Sequence, residues 1–229
     1  MDMIQHTDIT IEQRKLLDAH LQLVLEANRQ SNLTRITDEA QARILHIEDS
    51  LAGLEEIQAA PEGPYADLGT GAGYPGIPLA IMTHRPTLLV DSVGKKTKAL
   101  DAILAELSLS DYVKTFTGRA EELALDKPGF FSVITARALS SLPSLLELAS
   151  PLLKEHGHLI CYKAQPKEEE LQQAEGLEDK LGMHFIGSRK VYLSDGQTQR
   201  MIIVFEKLHE PSVSLPRRAG MAQKRPYKA

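Results

Sequence analysis

The first sixty residues place apolar side chains three or four positions apart, which is the spacing of amphipathic helices. Thr10 and Gln13 have the spacing of a capping box, and the pattern after them predicts a first helix that reaches about residue 28. A second helical pattern begins at about Asp38 and ends before the Pro-Glu-Gly-Pro sequence of residues 61–64. We therefore predict an N-terminal helical appendage over residues 1–60.

From residue 61 onward, short apolar runs alternate with helical patterns, which is typical of a parallel sheet with helices on both faces. The last two runs differ, because residues 194–197 between them have the composition of a hairpin turn. We predict a core over residues 61–209 and a basic tail over residues 210–229. The seven predicted strands lie at residues 65–68, 87–91, 112–117, 130–134, 159–162, 183–192 and 201–205.

This order of elements predicts an α/β fold whose sheet is mostly parallel, seven-stranded and finished by an antiparallel hairpin. That is the Rossmann-like architecture of class I AdoMet-dependent methyltransferases. Nicotinamide dehydrogenases, by contrast, usually continue with further strand–helix units. The element order therefore favours a methyltransferase fold.

The most informative stretch follows the first predicted strand and spans residues 67–78. It reads Asp-Leu-Gly-Thr-Gly-Ala-Gly-Tyr-Pro-Gly-Ile-Pro, with Gly69, Gly71 and Gly73 at alternate positions. Glycine tolerates positive φ and lets a ligand approach the backbone closely. The stretch therefore predicts a strand, a tight turn and a helix start at the sheet edge where α/β proteins bind nucleotides.

Residues 71–76 also match the dinucleotide pattern G-x-G-x-x-G, so the glycines alone leave a nicotinamide oxidoreductase open. Asp67 favours AdoMet, because a carboxylate there can hold the amino group of its methionine part, directly or through water. Pro75 lacks an N–H that a bound pyrophosphate would use. Both features favour AdoMet as the cofactor.

Further site candidates follow the next three strands. Asp91 ends the second strand, where a carboxylate accepts hydrogen bonds from both ribose hydroxyls of NAD or AdoMet alike. We expect Glu121, after the third strand, to contact adenine, although its surroundings also suit the start of an exposed helix. Arg137, after the fourth strand, lies where an acceptor substrate would enter, and it equally suits a surface ion pair.

The amino-acid composition limits the kinds of protein that this chain can be. The chain has 229 residues, of which 42% are hydrophobic and 25% charged, as in soluble globular proteins. No stretch is apolar enough to span a membrane and no signal-peptide pattern is present, so we expect a cytoplasmic protein. The presence of a single cysteine, Cys161, excludes an intramolecular disulfide and a cysteine-based zinc site, and its apolar surroundings in the sequence predict a buried thiol. We predict no metal site.

Charge is unevenly distributed along the chain. The net charge of -5 argues against binding nucleic acid through bulk electrostatics. Residues 211–229, however, contain no acidic side chain and the five basic ones Arg217, Arg218, Lys224, Arg225 and Lys228. Such a tail can be a solubilising end or an arm for a polyanion.

Two absences narrow the acceptor. No Asn-Pro-Pro-Tyr-like segment follows the fourth strand, which disfavours methylation of an exocyclic base amine, and no Pro-Cys pair supplies a nucleophile for carbon methylation. A ring nitrogen with an exposed lone pair, such as guanine N7, needs neither, because the enzyme contributes proximity and orientation.

Residues 67–79 resemble the signature of the bacterial ribosomal RNA small subunit methyltransferase G family, also called glucose-inhibited division protein B. The Gly-Tyr-Pro-Gly-Ile-Pro turn is far more specific than a generic glycine loop. Val93 stands where leucine is usual in the family, and Ala164 follows Lys163 where glycine is common. The resemblance covers nearly the whole chain, with further similar segments at residues 32–34, 46–51, 91–96, 135–138 and 216–220.

The resemblance implies AdoMet-dependent methylation of guanine N7 in 16S ribosomal RNA, with that RNA or the small ribosomal subunit as partner; we expect a monomer. The predicted cofactor residues are Asp67, Gly69, Gly71, Gly73, Tyr74, Asp91, Ser92, Val93, Ala120, Glu121 and Arg137, of which Gly71 and Gly73 shape the turn. The predicted catalytic residues are Arg137 and Lys163. The predicted RNA-binding residues are Arg119, Arg200, Arg217 and Arg218. A methyltransferase for another acceptor, a nicotinamide oxidoreductase and a nucleotide-sensing division regulator are the alternatives.

Overall fold

The structure is a computed structural model that describes residues 9–229, so residues 1–8 of the predicted appendage lie outside the described residues. Its strands are β1 (Tyr65–Leu68), β2 (Thr87–Asp91), β3 (Val113–Thr117), β4 (Phe131–Arg137), β5 (Leu153–Lys163), β6 (Met183–Tyr192) and β7 (Gln199–Lys207). The α-helices of this range are α1 (Ile11–Ser31), α2 (Glu39–Ala42), α3 (Asp49–Leu51), α4 (Leu54–Ala59), α5 (Gly76–Thr83), α6 (Gly94–Glu106), α7 (Ala120–Asp126), α8 (Leu142–Ala149), α9 (Glu168–Glu175), α10 (Glu178–Leu181) and α11 (Met221–Lys224). A π-helical segment, Arg43–Glu48, joins α2 to α3.

One sheet contains all seven strands in the order β3-β2-β1-β4-β5-β7-β6. The first five in this order run parallel, and β7 is antiparallel to both β5 and β6. This confirms the predicted α/β fold with its mostly parallel sheet and antiparallel end hairpin. The sheet order reverses between β1 and β4, so a crevice forms where both strands end.

The fifth strand begins earlier than predicted. Leu153 pairs with Phe131 and His158 pairs with Val133, with a register shift between them. His156 lies inside this shift with φ of 62°, so the predicted turn at residues 156–158 is an irregularity within a longer strand.

The predicted capping box at the start of α1 is confirmed. The Thr10 N–H donates to Gln13 Oε1 at 3.0 Å, and the Gln13 N–H donates to Thr10 Oγ1 at 3.1 Å. α1 packs against α5 and α6, and its buried Leu21 shares an apolar cluster with Ile77 and Leu100. The appendage and the sheet therefore share one core.

The second predicted helix is divided into α2, the π-helical segment, α3 and α4. The Arg85 guanidinium, from the α5–β2 connection, donates to the carbonyl oxygens of Ile57, Ala60 and Pro61 at 3.0, 2.8 and 2.6 Å. These bonds satisfy carbonyls at the end of α4, which would otherwise lack partners, and they tie the appendage to the sheet.

The basic tail folds onto the core. Ala222 of α11 is buried in the apolar cluster that contains α8. Arg217 Nε and Nη2 donate to the two carboxylate oxygens of buried Glu147 in α8, at 2.6 and 2.5 Å, and its guanidinium lies 4.1 Å from the Tyr227 ring centroid. The Arg217 guanidinium, predicted to bind RNA, is therefore engaged within the fold, whereas Arg218 is exposed.

Candidate active site

The glycine turn has the predicted strand, turn and helix start. Gly69, Gly71 and Gly73 have φ of 72°, 59° and 90°, in the region that side chains disfavour. A Cβ added to Gly69 would lie 2.7 Å from Leu139 Cδ1. α5 begins at Gly76, immediately after the turn. The backbone at Gly69 is therefore open to a ligand only while this residue has no side chain.

Asp67 lies beneath the turn and is fully buried. Its Oδ2 accepts the Gly76 N–H at 3.0 Å, and its Oδ1 accepts the Thr135 hydroxyl at 2.7 Å. Burial raises the pKa of this carboxyl to about 6. Asp67 thus joins β1, α5 and β4, and its contact with AdoMet, directly or through water, stays a prediction.

Asp91 ends β2 beside the turn. Its Oδ2 accepts the Gly71 N–H at 3.0 Å, and its Oδ1 accepts the Val93 N–H at 2.9 Å. Lys96 Nζ lies 3.6 Å from Oδ2. Each oxygen of an ionised carboxylate accepts two hydrogen bonds, so both retain capacity for a ligand.

A cavity of about 360 Å³ lies at the carboxyl ends of β1, β2 and β3 and is called here the cofactor cavity. Its described lining residues are Leu68, Gly69, Val90, Asp91, Ser92, Val93, Lys96, Gly118, Arg119, Ala120, Glu121, Ala138, Leu139, Leu148 and Gln223. The predicted cofactor residues brought together here are Gly69, Asp91, Ser92, Val93, Ala120 and Glu121. Arg119, predicted for RNA, lines the same cavity.

Tyr74 packs beneath the turn, outside the set that lines this cavity. Its ring stacks on His46, with centroids 4.5 Å apart, and lies 4.6 Å from the His20 ring. Burial raises the pKa of the Tyr74 hydroxyl and lowers the pKa of His20 to about 3. The pKa of His46 is lowered to about 4, mainly by burial and also by the nearby charge of Arg137. The three neutral rings anchor the turn to the appendage. Tyr74 does not line the cofactor cavity, and its cofactor contact stays a prediction.

A second cavity, of about 510 Å³, adjoins the first, and Ala138 lines both. It lies where β4 and β5 end and is called here the acceptor cavity. Of the predicted residues, it contains Arg137, Lys163 and Arg200. Its other described lining residues are Ile36, Leu45, His46, Asp49, Ala138, Ser140, Leu145, Tyr162, Ala164, Gln165, Pro166 and Glu170. Arg137 therefore lines the acceptor cavity rather than the cofactor cavity.

Asp49 of α3 holds two of these basic side chains. The carboxylate is almost completely buried; its Oδ2 accepts Arg137 Nη1 at 2.9 Å, and its Oδ1 lies 2.8 Å from Arg200 Nε. Arg137 Nη1 also donates to the Leu45 carbonyl at 3.1 Å. The appendage thus fixes both guanidinium groups at the wall of the acceptor cavity.

Lys163 is held by other elements. Its Nζ donates to the Ser140 carbonyl at 3.0 Å and pairs with a Glu170 carboxylate oxygen at 2.7 Å. With Arg137 and Arg200, it gives the acceptor cavity three fixed cationic groups, each paired with a carboxylate, whose remaining N–H donors suit a carbonyl or phosphate oxygen of a substrate.

The family model described as rRNA small subunit methyltransferase G matches residues 13–191. The chain belongs to this family. It is 36% identical over 227 residues to the Ribosomal RNA small subunit methyltransferase G of Streptococcus suis (strain 05ZYH33), covering 97% of this chain and 94% of that protein. It is 34% identical over 209 residues to the protein of the same name from Alkaliphilus metalliredigens (strain QYMF), covering 90% and 87%.

Solved structures confirm the fold of this chain. An O-methyltransferase from Bacillus cereus in complex with SAH superposes with a TM-score of 0.57 at 19% identity, over 82% of this chain and 91% of that one. A geranyl diphosphate methyltransferase in complex with SAM gives 0.56 at 11% identity, over 70% and 85%. The family assignment decides against the nicotinamide oxidoreductase that the glycine pattern left open.

The sequence of this family member did not reveal the roles of Asp49, Glu170 and Gln223. Asp49 lies in the segment 46–51, which resembles a family motif, and the feature that could have indicated its role is the presence of an acid among apolar helical positions. Glu170 and Gln223 stand in polar segments, where nothing distinguishes them from solvated side chains.

Two further features of residues 9–229 concern metal binding and membranes. Across residues 9–229, the acidic, histidine and cysteine side chains form no cluster of three or more with the placement of metal ligands. Within the same range, no helix has both the length and the apolar character needed to cross a bilayer.

Proposed function

We propose that this chain transfers the methyl group of AdoMet to N7 of a guanine in 16S ribosomal RNA. The observation that carries the proposal is the junction of the cofactor and acceptor cavities at Ala138, in a chain of the methyltransferase G family. Adjoining cavities allow a methyl donor in one to face a nucleophile in the other, which is the main requirement of a direct transfer.

The cofactor cavity fits AdoMet in its chemistry. Asp91 keeps acceptor capacity for the ribose hydroxyls, and Gly69 presents bare backbone. Val93, Leu139 and Leu148 supply apolar surface suited to the faces of a purine. A methionine part at the Gly69 end would bring the sulfonium methyl towards Ala138.

The proposed reaction needs positioning more than proton transfer. AdoMet supplies an electrophilic methyl group, and guanine N7 carries a lone pair and no proton. The guanine edge that holds N7 also exposes O6, an acceptor for a guanidinium or ammonium donor. Arg137 and Lys163 are the proposed groups that orient this edge, because both are fixed in the acceptor cavity. Donation to O6 leaves the N7 lone pair available for the methyl group.

The proposed partner is 16S ribosomal RNA or the small ribosomal subunit, the proposed compartment is the cytoplasm, and the proposed state is a monomer. Arg119 and Arg218 are exposed and suit phosphate contacts. Arg200 is paired with Asp49 in the acceptor cavity, so its proposed contact is with the RNA nucleotide that enters this cavity and not with RNA farther from the site. The chain's net charge of -5 favours a structured target over bulk attraction to RNA.

A transfer assay tests the proposal directly. The purified chain is incubated with methyl-labelled AdoMet and, in parallel, with small subunits or deproteinised 16S RNA from cells that lack the enzyme. The expected product is N7-methylguanine at one position. Label on another atom, or no label on either RNA substrate, would contradict the proposal, and calorimetry with AdoMet and NADH separates a failed cofactor assignment from a failed acceptor assignment.

A further inference from the structure

The C-terminal segment contributes a side chain to the cofactor cavity. Gln223, in α11, lines this cavity together with Arg119, Ala120 and Glu121. We propose that Gln223 hydrogen-bonds the adenine base of AdoMet and is a specificity-determining residue of the cofactor site. This inference rests on the proposed function, because it requires AdoMet in the cofactor cavity.

The direction of the cavity places the base at Gln223. The reacting end of AdoMet must face the acceptor cavity, which meets the cofactor cavity at Ala138. Asp91, at the end of β2, is the group suited to the ribose. The base then lies beyond β3, where Glu121 and Gln223 form the remaining wall.

Gln223 has the chemistry that this end requires. Adenine presents a 6-amino donor beside a ring-nitrogen acceptor, and a carboxamide matches such a pair with one acceptor and one donor. Each neighbouring group matches only half of this pair: the Glu121 carboxylate, which accepts the Gly220 N–H at 2.6 Å, has no donor for the ring nitrogen, and Arg119 has no acceptor for the 6-amino group. Arg119 Nη1 donates to Gln223 Oε1 at 3.5 Å, a long hydrogen bond that orients the carboxamide and leaves its oxygen a further lone pair for the base.

The fold holds Gln223 in this place through its neighbours. Ala222 is buried against the core, and the Gly220 amide is bonded to Glu121. Arg217 is fixed to buried Glu147. The segment that was predicted as an arm for RNA therefore closes the base end of the cofactor cavity.

Calorimetry with two ligands tests this role. The probes are S-adenosylhomocysteine and its analogue with hydrogen in place of the 6-amino group, each titrated into wild type, Gln223→Ala and Gln223→Glu. Lys224→Ala is the matched control, because Lys224 is the next residue of α11, is exposed and lies outside the residues described as lining the cavity. Gln223 is also exposed, so its replacement leaves the core unchanged.

We expect Gln223→Ala to weaken S-adenosylhomocysteine binding by about tenfold and to remove most of the preference for it over the analogue. Gln223→Glu retains an acceptor for the 6-amino group and keeps part of the preference, and Lys224→Ala matches wild type. An unchanged preference in Gln223→Ala, or an equal loss for both ligands, would overturn the inference while AdoMet binding stands. A wild type that binds neither ligand would overturn the proposed function and this inference together.

Discussion

At the scale of single residues, Gly69 decides whether a ligand reaches the backbone of the turn. Its φ is 72°, and an added Cβ would lie 2.7 Å from Leu139 Cδ1. We expect Gly69→Ala to weaken AdoMet binding by about tenfold or more, because a side chain in this backbone region costs about 1–3 kcal/mol and displaces the turn.

Calorimetric titration with AdoMet measures this effect. Gly187→Ala is the matched control, because a Cβ at Gly187 meets none of the described atoms within 4 Å. Equal affinities of wild type and Gly69→Ala would contradict the placement of the cofactor against this turn.

The pKa of Asp67 gives a second prediction at this scale. Burial raises it from 3.8 to about 6, so between these pH values the folded chain holds a proton that the unfolded chain has released. The stabilisation is complete below the unfolded pKa and is lost as the pH rises through the folded pKa, a change of about 3 kcal/mol in the free energy of unfolding.

Urea unfolding of wild type and Asp67→Asn from about pH 4 to about pH 7 isolates the contribution of Asp67 to the free energy of unfolding. Taking the difference between the two proteins removes the contribution of the histidines, which has the opposite pH dependence. Because burial lowers the pKa values of His20 and His46, these residues stabilise the fold at neutral pH, and this stabilisation is lost as the pH falls towards about 3 to 4. Wild type is expected to lose stability relative to the variant as the pH rises. A difference independent of pH would show that Asp67 does not titrate within the fold.

At the scale of elements, the appendage contacts the acceptor cavity through the π-helical segment and through Asp49 of α3. We expect Asp49→Asn to lower the turnover of RNA methylation by about tenfold or more, because asparagine is uncharged and has one acceptor oxygen, so Arg137 and Arg200 cannot both keep their partner. AdoMet affinity is expected to stay within about twofold, because Asp49 lines the acceptor cavity and not the cofactor cavity.

Steady-state kinetics and calorimetry separate the two effects. Asp18→Asn is the matched control, since Asp18 pairs with Arg43 at an exposed position where an ion pair contributes little. If Asp49→Asn and Asp18→Asn had the same turnover as wild type, the appendage would not position the acceptor-side arginines.

The elements themselves were largely predictable from the sequence. Apolar runs bounded by turn residues predicted the seven strands, and the hairpin turn at residues 194–197 predicted the antiparallel end. The π-helical break was not predictable, because the apolar spacing from Ile44 to Leu51 is that of a continuous helix. The cofactor residues at the ends of β2 and β3 could be predicted, because their position follows from where each strand ends. The burial of Asp67 and Tyr74 beneath the turn could not, because sequence spacing does not tell on which side of a turn a side chain lies.

At the scale of the whole molecule, the C-terminal segment joins α8 to the cofactor cavity. Charge composition predicted a basic tail, either a solubilising end or an arm for a polyanion, but composition carries no information on the Glu147 partner of Arg217, which is distant in sequence. We expect Arg217→Gln to lower the free energy of unfolding by roughly 3 kcal/mol, because it leaves a buried carboxylate without its cation. Arg218→Gln, at the exposed neighbour, is expected to change it by less than about 0.5 kcal/mol.

Urea denaturation of both variants measures this difference. Similar stabilities for the two would show that the segment is not fixed to α8. The RNA-binding role of the segment stays a prediction for Arg218, for which a reduced salt dependence of RNA affinity in Arg218→Gln is the expected sign.

The most direct test of the account is mass mapping of 16S ribosomal RNA from cells that lack this protein. We expect one N7-methylguanine to be missing, and to return with wild type and with Asp18→Asn. Asp91→Ala, which removes the proposed ribose acceptor in the cofactor cavity, is expected not to restore it. A full complement of N7-methylguanine in the cells that lack the protein would contradict the account.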